Sequence, residues 1–207
     1  MTTHHHADRH AHHDKHHATF DRERAAKFNE WAAETLGPIM GVLSPGPGLR
    51  VADIGAGGGA FTVAFARAIG ADGVAVAVDT YPEMLAYVAG YADGLGVGNV
   101  ETLLAAAGGE DLPDAAYDLI YMRQVYHHLD EPTEYLRHVR RALAPGGRVA
   151  IIDFIPGSGH GPKDHAATVE EIVASAARAG LTPIEYSDSL VEWGRSFTIF
   201  ADPSAAA

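Results

Sequence analysis

Four glycines fall within five residues, Gly55-Ala56-Gly57-Gly58-Gly59, directly after the short apolar run from Leu49 to Ile54 and directly before a helix-patterned stretch ending at Ile69. A strand that runs into such a turn and then into a helix can take positive φ at several positions and admit a ligand close to its backbone. A tight turn alone needs fewer glycines. The same residues satisfy a dinucleotide-type fingerprint, Gly55-x-Gly57-x-x-Ala60. Asp79, at the end of the next apolar run, is placed where a carboxylate accepts hydrogen bonds from a ribose diol.

The rest of the chain alternates in the same way. Strand patterns cover Leu49–Ile54, Val74–Val78, Val100–Ala105, Tyr117–Met122 and Arg148–Ile155, with late strands near Thr182–Ser187 and Ser196–Ala201. Helix patterns cover Gly59–Ile69, a segment opening at Pro82, Pro132–Leu143 closed by Pro145-Gly146-Gly147, and Thr168–Ala179 ended by Gly180. Thr168 and Glu171 have capping-box spacing. Nearly continuous apolar strands separated by helices imply a parallel sheet covered on both faces, an α/β three-layer sandwich. Ligands of such sheets bind at the carboxyl ends of the strands.

Ahead of this unit, residues from about Phe20 to Leu43 read as helical, with Phe28, Trp31, Ala32, Thr35 and Leu36 on one face and Gly37-Pro38 as a break into two helices. Eight of the 13 histidines lie in the first 17 residues, a stretch too poor in apolar groups to build a core. The expected organisation is a disordered His-rich tail over 1–18, a helical cap over 19–44 and a ligand-binding domain over 45–207.

With 15 basic and 27 acidic side chains the formal charge is −12, which opposes binding to nucleic acid or to an anionic membrane. The absence of cysteine removes disulfides, thiolate metal sites and thiol catalysis. No apolar run reaches membrane-spanning length and no signal-peptide pattern opens the chain, so a cytoplasmic location is the expectation.

Asp53-x-Gly55-x-Gly57-x-Gly59 resembles motif I of the class I S-adenosylmethionine-dependent methyltransferases. The likeness runs from about Leu49 to Ala201 through Val78-Asp79, Glu110-Asp111-Leu112-Pro113, Tyr117-Asp118-Leu119-Ile120, Val125-Tyr126-His127-His128-Leu129-Asp130 and Leu143-Ala144-Pro145-Gly146-Gly147. It implies a Rossmann-like sheet of seven strands, mostly parallel with the last antiparallel. It further implies S-adenosylmethionine as cofactor. Asp53 would fix the turn or meet the methionine ammonium. Gly55, Ala56, Gly57 and Gly59 would line the methionine part. Asp79 would hold the ribose, with Thr80 and Tyr81 beside the adenine. Glu110 would face the adenine edge, although the position two residues earlier, acidic in many family members, is Gly108 here. Arg123 would face the methionine end or the substrate.

Tyr126-His127-His128, with Asp153-Phe154-x-Pro156-Gly157, resembles a subgroup of small-molecule enzymes. His127 is the expected general base, with Tyr126 as an acceptor-orienting hydroxyl and His128 as a further candidate. Asp153, His160 and His165 with either histidine could form a His/carboxylate cluster, but their spacing matches no recognised ligand pattern and no metal is assigned. The expected activity is methyl transfer to a small-molecule acceptor. An NAD(P)-dependent oxidoreductase and a non-catalytic cofactor or metal sensor remain open at this stage. Trp193 and Phe197 fit core or a homodimer surface equally.

Overall fold

The computed structural model describes residues 21–159 and 166–206. The tail reading and the contributions of His160 and His165 lie outside the described residues. Seven strands, β1 (Arg50–Ile54), β2 (Val74–Asp79), β3 (Val100–Leu104), β4 (Tyr117–Arg123), β5 (Leu143–Phe154), β6 (Thr182–Ser187) and β7 (Arg195–Ala201), form one sheet in the order β3-β2-β1-β4-β5-β7-β6. Only β7 is antiparallel to its neighbours, as the family likeness implies. The chain leaves β1 toward β2 on one side and returns to β4 on the other. The loops after β1 and β4 therefore diverge and open a crevice at the carboxyl edge.

Helices α1 (Arg22–Leu43), α2 (Ala60–Ile69) and α3 (Pro82–Gly94) cover one face, and α4 (Pro132–Ala142) and α5 (Val169–Arg178) cover the other. On the first face Phe61, Phe65 and Tyr121 make an aromatic cluster with ring centroids 4.9 to 6.3 Å apart. On the second, Leu136, Val139, Ile172 and Ala176 pack on Ile120, Met122, Val149 and Ile151. The Thr168–Glu171 capping box opens α5 with both reciprocal bonds present. Strand β5 begins earlier than the sequence suggests. Leu143 already pairs with Tyr117, and the Ala144–Gly147 segment is absorbed as an irregularity before Arg148 pairs with Leu119.

Helix α1 departs from expectation. It runs unbroken through Pro38 for 22 residues. Its buried stripe, Ala25, Ala32, Thr35, Ile39 and Leu43, continues on both sides of the proline and packs on α2 and the sheet. Pro38 leaves the Glu34 carbonyl without its helical donor, on an exposed residue where water can replace it. Gly37 relieves the second conflict, because it lacks the Cβ that would press on the proline ring in a helical conformation. The buried face is also rotated from the expected one, leaving Trp31 53 % exposed and Phe28 half-buried.

The two exposed glycines of α1 should therefore respond oppositely to alanine. Gly41 has open space around it, so Gly41→Ala should stabilise the protein by roughly 0.5–1 kcal/mol in urea denaturation. Gly37→Ala should destabilise it, because the new Cβ meets Pro38.

Candidate cofactor and acceptor site

The turn after β1 is shaped by its surroundings as much as by its backbone. Gly55, Gly57 and Gly59 have φ of 69°, 53° and 84°. The Gly55 N–H donates to the Val78 carbonyl at 2.8 Å, tying the turn to β2. A Cβ on Gly55 would stand 2.5 Å from Val125, one on Gly57 would meet the Phe28 ring, and one on Gly58 would strike the Ala25 carbonyl and Asn29 of α1. Gly59 differs from its expected role. It is buried and a Cβ there would lie 2.8 Å from Val88 of α3, so its need is helix packing rather than ligand contact.

Gly59 also offers no side chain to cap α2. The cap comes from another helix, with the Ala60 N–H donating to Asn29 Oδ1 at 3.0 Å. Asn29 was not singled out from sequence, and nothing local could have marked it, since its partner is 31 residues away. Together with Phe28 over Gly57 and Arg22 over the Tyr87 ring of α3, it seats the first half of α1 across the glycine turn.

Two carboxylates end β1 and β2. Asp53 is 3 % exposed and accepts from Thr62 Oγ1 at 2.6 Å, so its side chain joins strand to helix beneath the turn. Burial pushes it up to about 6, against the pull of Thr62 and of Arg123. Asp79 is half-buried and also raised by burial. It accepts from the Tyr81 N–H at 3.1 Å, and this bond, with the backbone of Thr80 and Gly57 nearby, opposes that rise. Thr80 and Tyr81 are exposed beside it, and Gly55, Ala56 and Gly57 present backbone to the same edge.

After β3, Asp111 accepts from the Ala106 N–H at 2.8 Å and holds the loop. Glu110 is exposed, and its carboxylate fills the space that a side chain on Gly108 would take.

The end of β4 separates the three expected catalytic residues. Gln124 takes a left-handed φ of 59° and turns the chain into the short 3-10 segment Tyr126–His128. Tyr126 contradicts expectation. It is 6 % exposed, and its hydroxyl bonds Ser175 Oγ at 2.8 Å and the Glu171 carbonyl at 3.3 Å, so it is fixed in the core beneath α5. His127 points to β5 instead. Its Nδ1 lies 2.7 Å from Asp153 Oδ1 and its backbone N–H donates to Oδ2 at 3.1 Å. Both side chains are nearly inaccessible, at 4 % and 0 %. His128 is exposed, with its ring centroid 4.0 Å from that of His127. Arg123 lies on the opposite face of the sheet, over the Phe61 ring. Among the described residues no group of three or more His, Asp or Glu is placed to hold a metal ion, and no helix is long and apolar enough to cross a membrane.

Comparison with known proteins agrees with this geometry. Residues 52–151 match the family model described as a methyltransferase domain. An uncharacterized methyltransferase of Bacillus subtilis, YcgJ, is 30 % identical over 149 residues, covering 72 % of this chain and 55 % of the relative. The ubiquinone/menaquinone biosynthesis C-methyltransferase UbiE of Idiomarina loihiensis is 36 % identical over 110 residues, covering 52 % of this chain and 43 % of the relative. The chain thus spans about half the length of the curated relatives it matches. The crystal structure of a SAM-dependent methyltransferase from Aquifex aeolicus superposes with a TM-score of 0.75 at 24 % identity, over 87 % of this chain and 98 % of that one. Residues 52–151 thus form a methyltransferase domain, and the motif in its turn and the antiparallel β7 beside β5 are similar to those of the class I S-adenosylmethionine-dependent methyltransferases.

Proposed function

We propose that the chain is a methyltransferase that uses S-adenosylmethionine to methylate a small-molecule acceptor, with His127 as general base. The observation that carries the reading is the buried His127–Asp153 pair beside a crevice whose backbone and carboxylates suit the cofactor. A family member that acts in quinone biosynthesis supports a small-molecule acceptor. The methyltransferase relatives and the antiparallel β7 favour the transferase over the dinucleotide oxidoreductase that the glycine turn alone allowed.

The donor set fits the cofactor. Asp79 offers carboxylate oxygens to a ribose diol, with Thr80 and Tyr81 for the adenine face and Glu110 for its edge. Gly55, Ala56 and Gly57 offer side-chain-free backbone to the methionine part, and Asp53 lies beneath it for an ammonium. Helix α1 forms the cap, through Phe28 and Asn29. The cofactor supplies a methyl group on a sulfonium, whose departure as a neutral thioether needs no acid. What remains for the protein is alignment and removal of the acceptor's proton.

Asp153 sets how His127 can do that. An ionised carboxylate only accepts, so Nδ1 keeps its proton and Nε2 carries the lone pair. The second bond, from the His127 backbone, and a third, from the Phe154 N–H to Oδ1 at 2.8 Å, stop the carboxylate from turning. The imidazole is held in one tautomer and orientation, and a proton taken at Nε2 places its charge against Asp153. This arrangement suits a hydroxyl, enol or amine acceptor. The Tyr126-His127-His128 sequence works as a unit here, the tyrosine anchoring the segment to α5 while the first histidine faces the site.

Calorimetric titration should show S-adenosylhomocysteine binding at micromolar strength, weakened by about tenfold or more in Asp79→Ala. Binding of NAD(H) in its place would reverse the assignment. With an acceptor found by tritiated-methyl transfer to a small-molecule extract, His127→Asn should lower kcat by about 10²-fold or more while retaining S-adenosylhomocysteine affinity. Its amide keeps a donor for Asp153 but has no group at the Nε2 position.

Asp53 predicts a pH signature. Its folded pKa is raised, so the folded protein holds a proton that the unfolded chain releases, and stability falls as pH rises from about 4 to about 6. Asp53→Asn should flatten that decline. In the ligand-free protein at pH 7 it should be more stable than the wild type by up to roughly 3 kcal/mol, a difference that vanishes near pH 4.

A further inference from the structure

On the sheet face opposite His127, the carboxyl edge carries polar groups without partners among the described residues. Nε and Nη2 of Arg123 and the hydroxyl of Tyr121 are buried and hydrogen-bonded to nothing among the described residues. Tyr121 is 1 % exposed. Beside them lies a second buried guanidinium, Arg195 at the start of β7. Its Nη1 donates to the Trp193 carbonyl at 3.0 Å, and with the Gln124 amide turned so that its oxygen faces the guanidinium, Nε and Nη2 donate to that oxygen at 2.9 and 3.1 Å. Asp53 and Glu34 act on this pair across space, but neither forms an ion pair with it, and Asp53 is bonded to Thr62.

Such a cluster is unfavourable in isolation. A buried guanidinium without an acceptor forfeits its hydration, and two of them repel. Phe61 lies under Arg123 and Phe154 under Arg195, each about 5.5 Å from ring centroid to guanidinium carbon, so both flat cations rest on apolar walls. Phe154 also links this cluster to the proposed base, its ring centroid 5.5 Å from that of His127. Buried donors left unsatisfied among the described residues, in a cluster one phenylalanine ring away from the proposed base, are the marks of a site for an anion with several acceptor lone pairs.

We propose that Tyr121, Arg123 and Arg195 form a subsite for a carboxylate on the methyl acceptor, so that the substrate is a carboxylic acid presenting a second, protic group to His127. The word acceptor rests on the methyltransferase reading. The amino-acid end of the cofactor also carries a carboxylate. Tyr121 and Arg123 stand on β4 beside β1 and the glycine turn, whereas Arg195 stands on β7, separated from β1 by β4 and β5; it is Arg195 that favours the acceptor over the cofactor's carboxylate.

The test titrates the full chain, with and without S-adenosylhomocysteine, with 3-phenylpropionate and salicylate and with their neutral amides. The acids should bind and the amides should not. Tyr121→Phe and Arg123→Met should each weaken the acids by about tenfold or more. Both variants should melt no lower than the wild type, because each removes an unpartnered buried group; a merely structural role would lower the melting temperature. Equal binding of acids and amides, no binding of either, or acid binding indifferent to both substitutions would overturn the subsite. So would a loss confined to the cofactor's own carboxylate, in which Arg123→Met weakens S-adenosylhomocysteine tenfold and leaves 5′-methylthioadenosine unchanged. A chain that takes the acids but ignores S-adenosylhomocysteine would lose the methyltransferase reading and keep the subsite.

Discussion

Everything at the carboxyl edge depends on how closely the turn after β1 is approached. Val125 from the β4 loop, the Ala25 carbonyl and Asn29 from α1, and Val88 from α3 all lie within the space a single Cβ would need. Those contacts hold the turn in place while Gly55 and Gly57 keep the backbone conformation that only glycine adopts cheaply. The Gly55 and Ala56 N–H groups, both donating to the Val78 carbonyl, bond the turn to β2. The result is a rigid rim built from four separate elements, with its polar backbone facing outward where a ligand can reach it. Because α1 supplies both the cap of α2 and the cover of Gly57, the N-terminal helix is part of the rim rather than an attachment to it.

The other half of the edge is organised around Asp153. Its carboxylate accepts from the His127 ring, the His127 backbone and the Phe154 N–H, while its own carbonyl accepts from Ser196 of β7. One buried acid thereby fixes the turn after β4, the end of β5 and the start of β7 relative to one another. A histidine on a short 3-10 segment would otherwise be mobile. Bonded twice to the end of a central strand, it inherits the rigidity of the sheet, which is what a base must have if alignment supplies much of the rate.

The features legible in the sequence were those that repeat locally. Strand runs, the glycine turn and the Thr168–Glu171 box are encoded within a few residues, and the helices and strands fall within a few positions of their expected bounds. Asp79, Gly55, Gly57 and His127 could be placed because the edge of a parallel sheet is where such residues converge. What failed were properties decided by distant partners. Pro38 reads as a breaker until the buried stripe on both sides of it is known. Tyr126 reads as a site residue because its neighbour is one, yet consecutive residues of a 3-10 segment point to different sides, and this one meets α5. Asn29 and Arg195 carry no local pattern at all. Their roles arise from partners 31 and 71 residues away in sequence, Ala60 and Gln124.

The two ends of the sheet treat charge in opposite ways, and the contrast locates the chemistry. At the amino edge of β5, Arg140 holds Asp202 through two bonds at 2.8 and 3.2 Å, and the carboxyl is pulled down to about 2. There the ion pair is satisfied and partly hydrated, so it secures the last strand without strain. At the carboxyl edge Asp53 is pushed up to about 6, Arg195 is pushed down, and Arg123 and Tyr121 keep donors with no acceptor among the described residues. Folding gains nothing from burying these groups in that state. A chain whose only requirement was stability would replace Tyr121 by phenylalanine and Arg123 by an apolar side chain of similar length, since both lie against the Phe61 cluster. The proposed carboxylate would give these donors the acceptor that the described residues do not supply, so their place at this edge follows from what they can hold rather than from what they hold together.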